Sequence, residues 1–370
     1  MTTANPTEVT AREKFPCPAC GAQAEWNPAK QKLVCPFCGT ESPYQVNPAT
    51  GAIEEIDLVK TLRELPDDLR GWHTERRSVR CQNCRAVMVF DPTRVGQNCE
   101  FCGSPALVDY AETKDPITPQ SILPFKVTPP QIRDQIRRWY ASKWFAPNAL
   151  TRRALVDTVH GVYLPYWTFD AQATCPWRAE AGHYYYTTET YRDSSGRSQT
   201  RQVQHVRWEP ASGRIEHFFD DEPVPGSQGV RIDLLKRIEP FPTTDLVPYD
   251  TAMLSGFVVE HYQVVLVDAA QHSIDQMTEQ LRSMAAGAVP GDTYRALEIF
   301  PEFGGRTFKH ILVPVWIMTY TYGAKSYQVL ANGYTGKLDG VYPLSPWKVF
   351  FAIVFALIAV MIFLYIAGQS

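Results

Sequence analysis

A chain of 370 residues with 45% apolar and 20% charged residues holds enough material for two or three domains with a real hydrophobic core, which excludes a disordered polymer. Its formal net charge of −3 argues against a protein whose main task is to coat nucleic acid, since that task leaves a strongly basic balance. Nine cysteines would suit a secreted disulfide scaffold, but eight of them fall in C-x-x-C pairs and the polar stretch from Met1 to Ala11 lacks the apolar run of a signal peptide, so a reducing cytosol is the expected setting.

Residues 1–46 read as a first zinc ribbon. Cys17-Pro18-Ala19-Cys20-Gly21 is followed, after fourteen residues, by Cys35-Pro36-Phe37-Cys38-Gly39. Residues 78–112 repeat the template, with Cys81-Gln82-Asn83-Cys84 followed, again after fourteen residues, by Cys99-Glu100-Phe101-Cys102-Gly103. Zinc prefers four thiolates in a tetrahedron, and two such knuckles supply them. Two Zn2+ ions are therefore expected, one on Cys17, Cys20, Cys35 and Cys38 and one on Cys81, Cys84, Cys99 and Cys102. A module this small cannot bury a self-sufficient core, so the metal must hold it together. Redox C-x-x-C pairs are the rival reading, but they would sit in a βαβ pattern that is missing here. Residues 47–77 form a linker in which Ile56, Val59, Leu62 and Leu65 recur at helical spacing.

The body spans residues 121–343. Thr128 reads as an N-cap with Pro129 and Pro130 in the first turn, opening a helix that sets Ile132, Ile136, Trp139, Tyr140 and Trp144 on one face. Strands follow at 159–170, 173–191, 200–208 and 214–219, separated by turns at Asp193-Ser194-Ser195-Gly196 and Ala211-Ser212-Gly213. A second helix, about Val264 to Ala286, stacks Leu266, Ala270, Ile274, Met277, Leu281 and Met284; two strands, around 309–322 and 327–338, close the body. The expected class is α+β: two zinc ribbons, an antiparallel-sheet body with two packed helices, and a C-terminal transmembrane helix. Leu164-Pro165-Tyr166-Trp167 and Val313-Pro314-Val315-Trp316 share a pattern that marks either duplicated halves or a chance recurrence of Pro-aromatic pairs at strand entries. Cys175, outside the pairs, reads as a small buried hydrophobe.

Residues 347–367 read as the transmembrane helix. Val349 to Ala367 carries no charge and no proline, Trp347 and Tyr365 sit where interfacial anchors belong, and Lys337 and Lys348 lie on the N-terminal side. The expectation is a tail-anchored, single-pass protein of the inner (cytoplasmic) membrane with its bulk in the cytoplasm.

Motifs for catalysis are missing. Gly333-Tyr334-Thr335-Gly336-Lys337-Leu338 fails as a phosphate loop in its glycine spacing and its final hydroxyl, and neither H-E-x-x-H nor G-x-S-x-G occurs. Tyr184, Tyr185 and Tyr186 opposite His205, Arg207 and Trp208 could stack bases, but such residues also fill any antiparallel sheet.

The paired ribbons combine with Ile122-Leu123-Pro124-Phe125-Lys126, the run Gly161 to Ala171, Leu254-Ser255-Gly256-Phe257 and Asn332 to Gly340. In this layout the chain resembles the bacterial membrane-anchored double zinc-ribbon family of the Bacillus YdjG type. Members carry TFIIB-type zinc-ribbon labels, or labels relating them to the primosomal replication-restart helicase, whose ATPase motors have no counterpart here. The resemblance implies SPFH-type or phage-shock-type membrane proteins as partners. The functional expectation is a non-enzymatic zinc-ribbon adaptor for protein partners; the alternative is a nucleic-acid-binding protein that tethers DNA or a replication factor to the membrane.

Overall fold

The computed structural model describes residues 15–41, 53, 55–64, 77–82, 86–90, 99, 101, 107–109, 117–151, 159–192, 198–322 and 325–367. The N-terminal part contributes β1 (Glu25–Asn27), β2 (Lys32–Val34), β3 (Ile56–Asp57), α1 (Leu58–Glu64), β4 (Arg77–Cys81), β5 (Val87–Phe90) and β6 (Leu107–Asp109). The first half of the body holds β7 (Ser121–Ile122), α2 (Pro129–Ser142), β8 (Val159–Arg192), β9 (Ser198–Pro225) and α3 (Ile232–Ile238). The second half holds β10 (Val247–Pro248), β11 (Val258–Glu260), α4 (Leu266–Ala288), β12 (Thr293–Ile299), β13 (Glu302–Tyr322), β14 (Lys325–Asn332), β15 (Leu338–Gly340) and α5 (Pro346–Ala367).

Both expected body helices form, for the expected reasons. Thr128 is the N-cap of α2 and its backbone N–H donates to the Gln131 side chain at 2.8 Å, a partial capping box. Ile132, Ile136 and Tyr140 are buried, whereas Trp144 lies past the helix end and is 63% exposed. On α4 the buried stripe includes Leu266, Ala270, Met277 and Leu281. The linker forms its short helix, α1, within the stretch whose Ile56, Val59 and Leu62 recur at helical spacing, whereas the body adds α3 to the two helices expected of it.

The expected meander is instead one long hairpin. β8 runs unbroken for 34 residues, roughly 110 Å at the usual rise per residue. It pairs antiparallel with β13 and then β12 along one edge, and with β9 along the other as far as Arg192. No turn forms at Ala211-Ser212-Gly213, because the Trp177 ring of β8 lies where a Cβ on Gly213 would be, 2.6 Å away; the glycine admits a ring rather than a reversal. The turn expected at 193–196 lies outside the described residues.

The expected break near Ala171 is a bulge. The β8–β9 register shifts between Phe169 and Ala171, and the buried Asp170 fills the irregularity: its Oδ1 accepts the Asp221 N–H at 2.6 Å and its Oδ2 accepts the Thr307 hydroxyl at 2.9 Å. Asp221 takes φ +53° there and pairs with the buried Lys309 at 2.7 Å. Asp170→Ala leaves two donors without this acceptor and should cost about 1–3 kcal/mol, read as a lower urea midpoint at unchanged slope.

Among the described residues the sheet is antiparallel apart from two parallel pairings, β7 with β13 and β11 with β8, and these exceptions reveal a repeated unit. Leu164 pairs directly with Val313, so the two Pro-aromatic motifs face each other on neighbouring strands about a local two-fold axis. The hydrogen bonds repeat across that axis. The Trp167 indole donates to the Val264 carbonyl at 2.9 Å and the Trp316 indole to the Val127 carbonyl at 3.0 Å. Gly226 and Gly333 donate to Pro165 and Pro314, each at 2.8 Å. Their carbonyls accept from Gln263 and Val264 and from Lys126 and Val127, respectively. Each half is thus a short strand, a helix and a long hairpin, and each lends its short strand and helix entry to the other half's long strand. The motif recurrence belongs to this duplication.

The halves differ beside the tryptophans. Phe257 covers Gly161 next to Trp316, where a Cβ would lie 2.5 Å from its ring. On the other side fully buried His310 lies 4.8 Å from the Trp167 ring and 5.3 Å from Tyr262, donating from Nδ1 to the Ile117 carbonyl at 2.8 Å. Burial, only partly offset by that hydrogen bond, pushes its pKa down to about 4. The unfolded chain therefore binds the extra proton first. His310 contributes stability that is complete above the unfolded value of 6.5 and is lost as pH falls toward 4, about 3 kcal/mol in all. The difference in unfolding free energy between the wild type and His310→Phe should change by that order across this window.

The tail anchor is not upheld. Helix α5 begins on schedule at Pro346, but among the described residues no helix is long and apolar enough to cross a membrane. Crossing takes about twenty apolar residues. The uncharged run starts only after Lys348, the described side chains of α5 stop at Ile362, and the remainder lies outside them. With the anchor go the transmembrane part of the fold class and the single-pass, tail-anchored placement at the cytoplasmic membrane. What the structure does give is how the helix is rooted: Lys348 Nζ donates to the Ala146 carbonyl at 2.8 Å and to Asn148 Oδ1 at 2.7 Å.

Candidate metal centre

The first cysteine quartet assembles as its spacing predicts. Cys17 N–H donates to the Ala22 carbonyl at 2.6 Å and Cys35 N–H to the Thr40 carbonyl at 2.9 Å. Each knuckle closes with a glycine at positive φ, Gly21 at +72° and Gly39 at +74°, a conformation that side chains resist. β1 and β2 pair in register Trp26 opposite Leu33 and bring the two knuckles face to face. Glu41 bridges Lys30 at 2.6 Å and Lys32 at 2.8 Å, and those ammonium groups hold its carboxyl down to about 2.

The four sulfurs lie within 4.8 Å of one another, with Cys17 to Cys38 at 3.5 Å and Cys20 to Cys35 at 3.6 Å. A zinc–sulfur bond of about 2.3 Å implies tetrahedron edges of about 3.8 Å, so the quartet fits the ion; a disulfide would need about 2.05 Å, and the described cysteines are all free thiols. The thiols also compete for charge. The Thr40 hydroxyl and N–H hold Cys38 down to about 6. Cys20 is pushed up to about 12, the Ala22 N–H pulling it down but the sulfurs of Cys38 and Cys35 outweighing it. A dication among them removes that competition.

Of the second quartet, Cys81 and Cys99 are described and Cys84 and Cys102 lie outside the described residues. Both described thiols are buried in one apolar cluster with Phe101. Cys81 N–H donates to the Ala86 carbonyl at 2.9 Å, the bond that closes both knuckles of the first site. β5 then pairs with β11, placing this segment on the body beside Glu260. That carboxyl is fully buried, accepts from Gln263 at 2.7 Å and is pushed up to about 8, chiefly by burial.

Sequence reasoning missed that the first ribbon is docked rather than free. Trp26 N–H donates to the Ser255 carbonyl at 3.1 Å, the Ser255 hydroxyl returns a bond to the Ala24 carbonyl at 2.8 Å, and Gln31 Nε2 donates to the Phe125 carbonyl at 2.7 Å. Ala24, Trp26 and Leu33 belong to the same core as Phe125, Tyr163 and Trp316. The available signal was Trp26 itself: so large an apolar ring in so short a hairpin needs a surface elsewhere to cover it.

No family model matches the chain, and no solved structure matches it. Over 236 residues the chain is 24% identical to the "Uncharacterized protein YdjG" of Bacillus subtilis (strain 168), an alignment covering 63% of this chain and 66% of that protein, just under two thirds of its length. The chain is therefore similar to YdjG, as its motifs had suggested, and it carries a four-cysteine cluster able to hold one zinc ion.

Proposed function

We propose that the protein is a non-enzymatic adaptor in which zinc holds the ribbons and the body presents rigid surfaces to protein partners. The carrying observation is the outer part of the β8–β9 hairpin. Past Gly182 it continues as a two-stranded arm with exposed Tyr184 and Tyr186. Alternation along paired strands puts Tyr184, Tyr186, Thr188 and Thr190 on one face with Val206, Gln204, Gln202 and Thr200, an uncharged and aromatic surface. Rigid tyrosines give contact area at low entropic cost.

Three arginines on and around the arm are paired with carboxylates: Arg201 with Glu189 at 3.1 Å, Arg207 with Glu209 at 2.9 Å and Arg295 with Glu180. That disfavours the nucleic-acid alternative, which needs cations free to meet phosphates. Four sulfurs complete a tetrahedral shell and leave no open position for substrate, the mark of structural zinc. The repeated knuckle bond, Cys81 N–H to the Ala86 carbonyl, supports a second zinc on Cys81, Cys84, Cys99 and Cys102. The resemblance directs the partner search to SPFH-type and phage-shock-type proteins.

Crosslinking capture from intact cells, comparing the wild type with Tyr184→Ser/Tyr186→Ser, tests the reading. Protein partners retained by the wild type and lost with the variant support it. DNA retained at physiological salt, with affinity falling steeply as salt rises, would replace it.

A further inference from the structure

The docked ribbon touches the body at a segment that carries the packing of one half's aromatic core. Residues 251–254 form a short turn whose Asp250 cap accepts the Ala252 N–H at 2.8 Å, and Ala252, Met253 and Leu254 are buried. Ser255, held by Ala24 and Trp26 of the ribbon, comes next. Gly256 follows at φ +88°, its Cβ position only 3.2 Å from the Glu25 side chain. Phe257 then turns inward over Gly161, stacks on Phe125 with centroids 4.2 Å apart and planes 12° apart, and lies edge-on to Tyr163 at 5.7 Å. Phe125 lies 4.9 Å from Trp316, one of the two tryptophans that join the halves.

We propose that metal in the first quartet acts as a clamp: bound, it keeps β1 on residues 254–256 and so fixes Phe257 in the core; lost, it releases the segment and loosens the Trp316 side of the molecule. The proposal rests on the quartet holding metal. Its physical basis is that Ala24, Trp26 and Leu33 are buried in the body's core, which leaves the ribbon little apolar core of its own and makes the metal the strongest tie between the two knuckles that aim them. The two-fold repeat supplies an internal control. In the other half the place of Phe257 beside the tryptophan is taken by His310, and that side has no contact with β1 or β2 among the bonds described above.

The test is hydrogen exchange of the full chain, with zinc content measured in parallel. In Cys20→Ser/Cys38→Ser, which spares the second quartet, backbone amides of residues 251–259 and 122–128 should exchange about tenfold faster or more, while those of 262–269, around Trp167, keep their wild-type rates. Zinc loss with protection of 251–259 intact overturns the clamp alone; a wild-type protein without zinc on this quartet overturns the metal reading and the clamp together. Ser255→Ala, which keeps every ligand, guards against a variant that fails to fold. It should retain its zinc and exchange about fivefold faster over 254–258, as expected for one lost hydrogen bond; an unchanged rate there also overturns the clamp.

Discussion

Replacing Cys35 by serine in the full chain should lower the zinc content by one atom per molecule and abolish the exchange protection of residues 24–34. Cys35 is buried and its sulfur faces Cys20 at 3.6 Å, so serine removes a soft ligand from a shell that has no spare. The strands it supports are three residues each, far too short to persist by pairing alone. Structural zinc of this type contributes on the order of 10 kcal/mol to folding, more than any single side-chain contact in the molecule. Phe37→Ala, at an 81% exposed position between the ligands of the same knuckle, should leave zinc content and protection unchanged. Equal zinc in the wild type and Cys35→Ser would reject the site.

The two exchanged tryptophans give the second large effect. Trp167→Ala removes a fully buried indole and should cost about 3–5 kcal/mol. Trp167→Phe keeps most of the ring but strands the Val264 carbonyl, for about 1–3 kcal/mol. Trp316→Phe should cost a similar amount at Val127, because the two bonds are equivalent. Chemical denaturation of the three variants decides the point. A Trp316→Phe penalty near zero beside a full one for Trp167→Phe would show that the repeat is geometric only, with the halves joined through one side.

Local chemistry was legible in the sequence; partnership between distant segments was not. The first ribbon's two knuckles, the Thr128 cap and the apolar stripe of α4 are each written within a few residues, and each formed where expected. The hairpin was misjudged because Gly213 carries two meanings, a reversal or room for a neighbour's ring, and only the opposite strand decides between them. Asp170 looked like the end of a strand, since a bulge and a break share the same polar residue. α3 was overlooked because its buried Leu234, Leu235 and Ile238 span barely one turn, whereas the spacing that announced α1 ran on into the residues flanking it. The second quartet could be read only from spacing, and two of its four sulfurs lie outside the described residues. The terminal segment was judged on its apolarity, whereas the described part of α5 falls short of a span.

The exchange between halves also governs the order in which the chain can mature. A nascent protein that has reached Pro225 holds a complete long hairpin, yet Val162 and Tyr163 still await Val258 and Val259, and the Trp167 indole awaits Val264. Neither half closes its own core, so the first must wait unfinished until the second leaves the ribosome. A gene cut between the halves would yield two fragments that are structured only when made together.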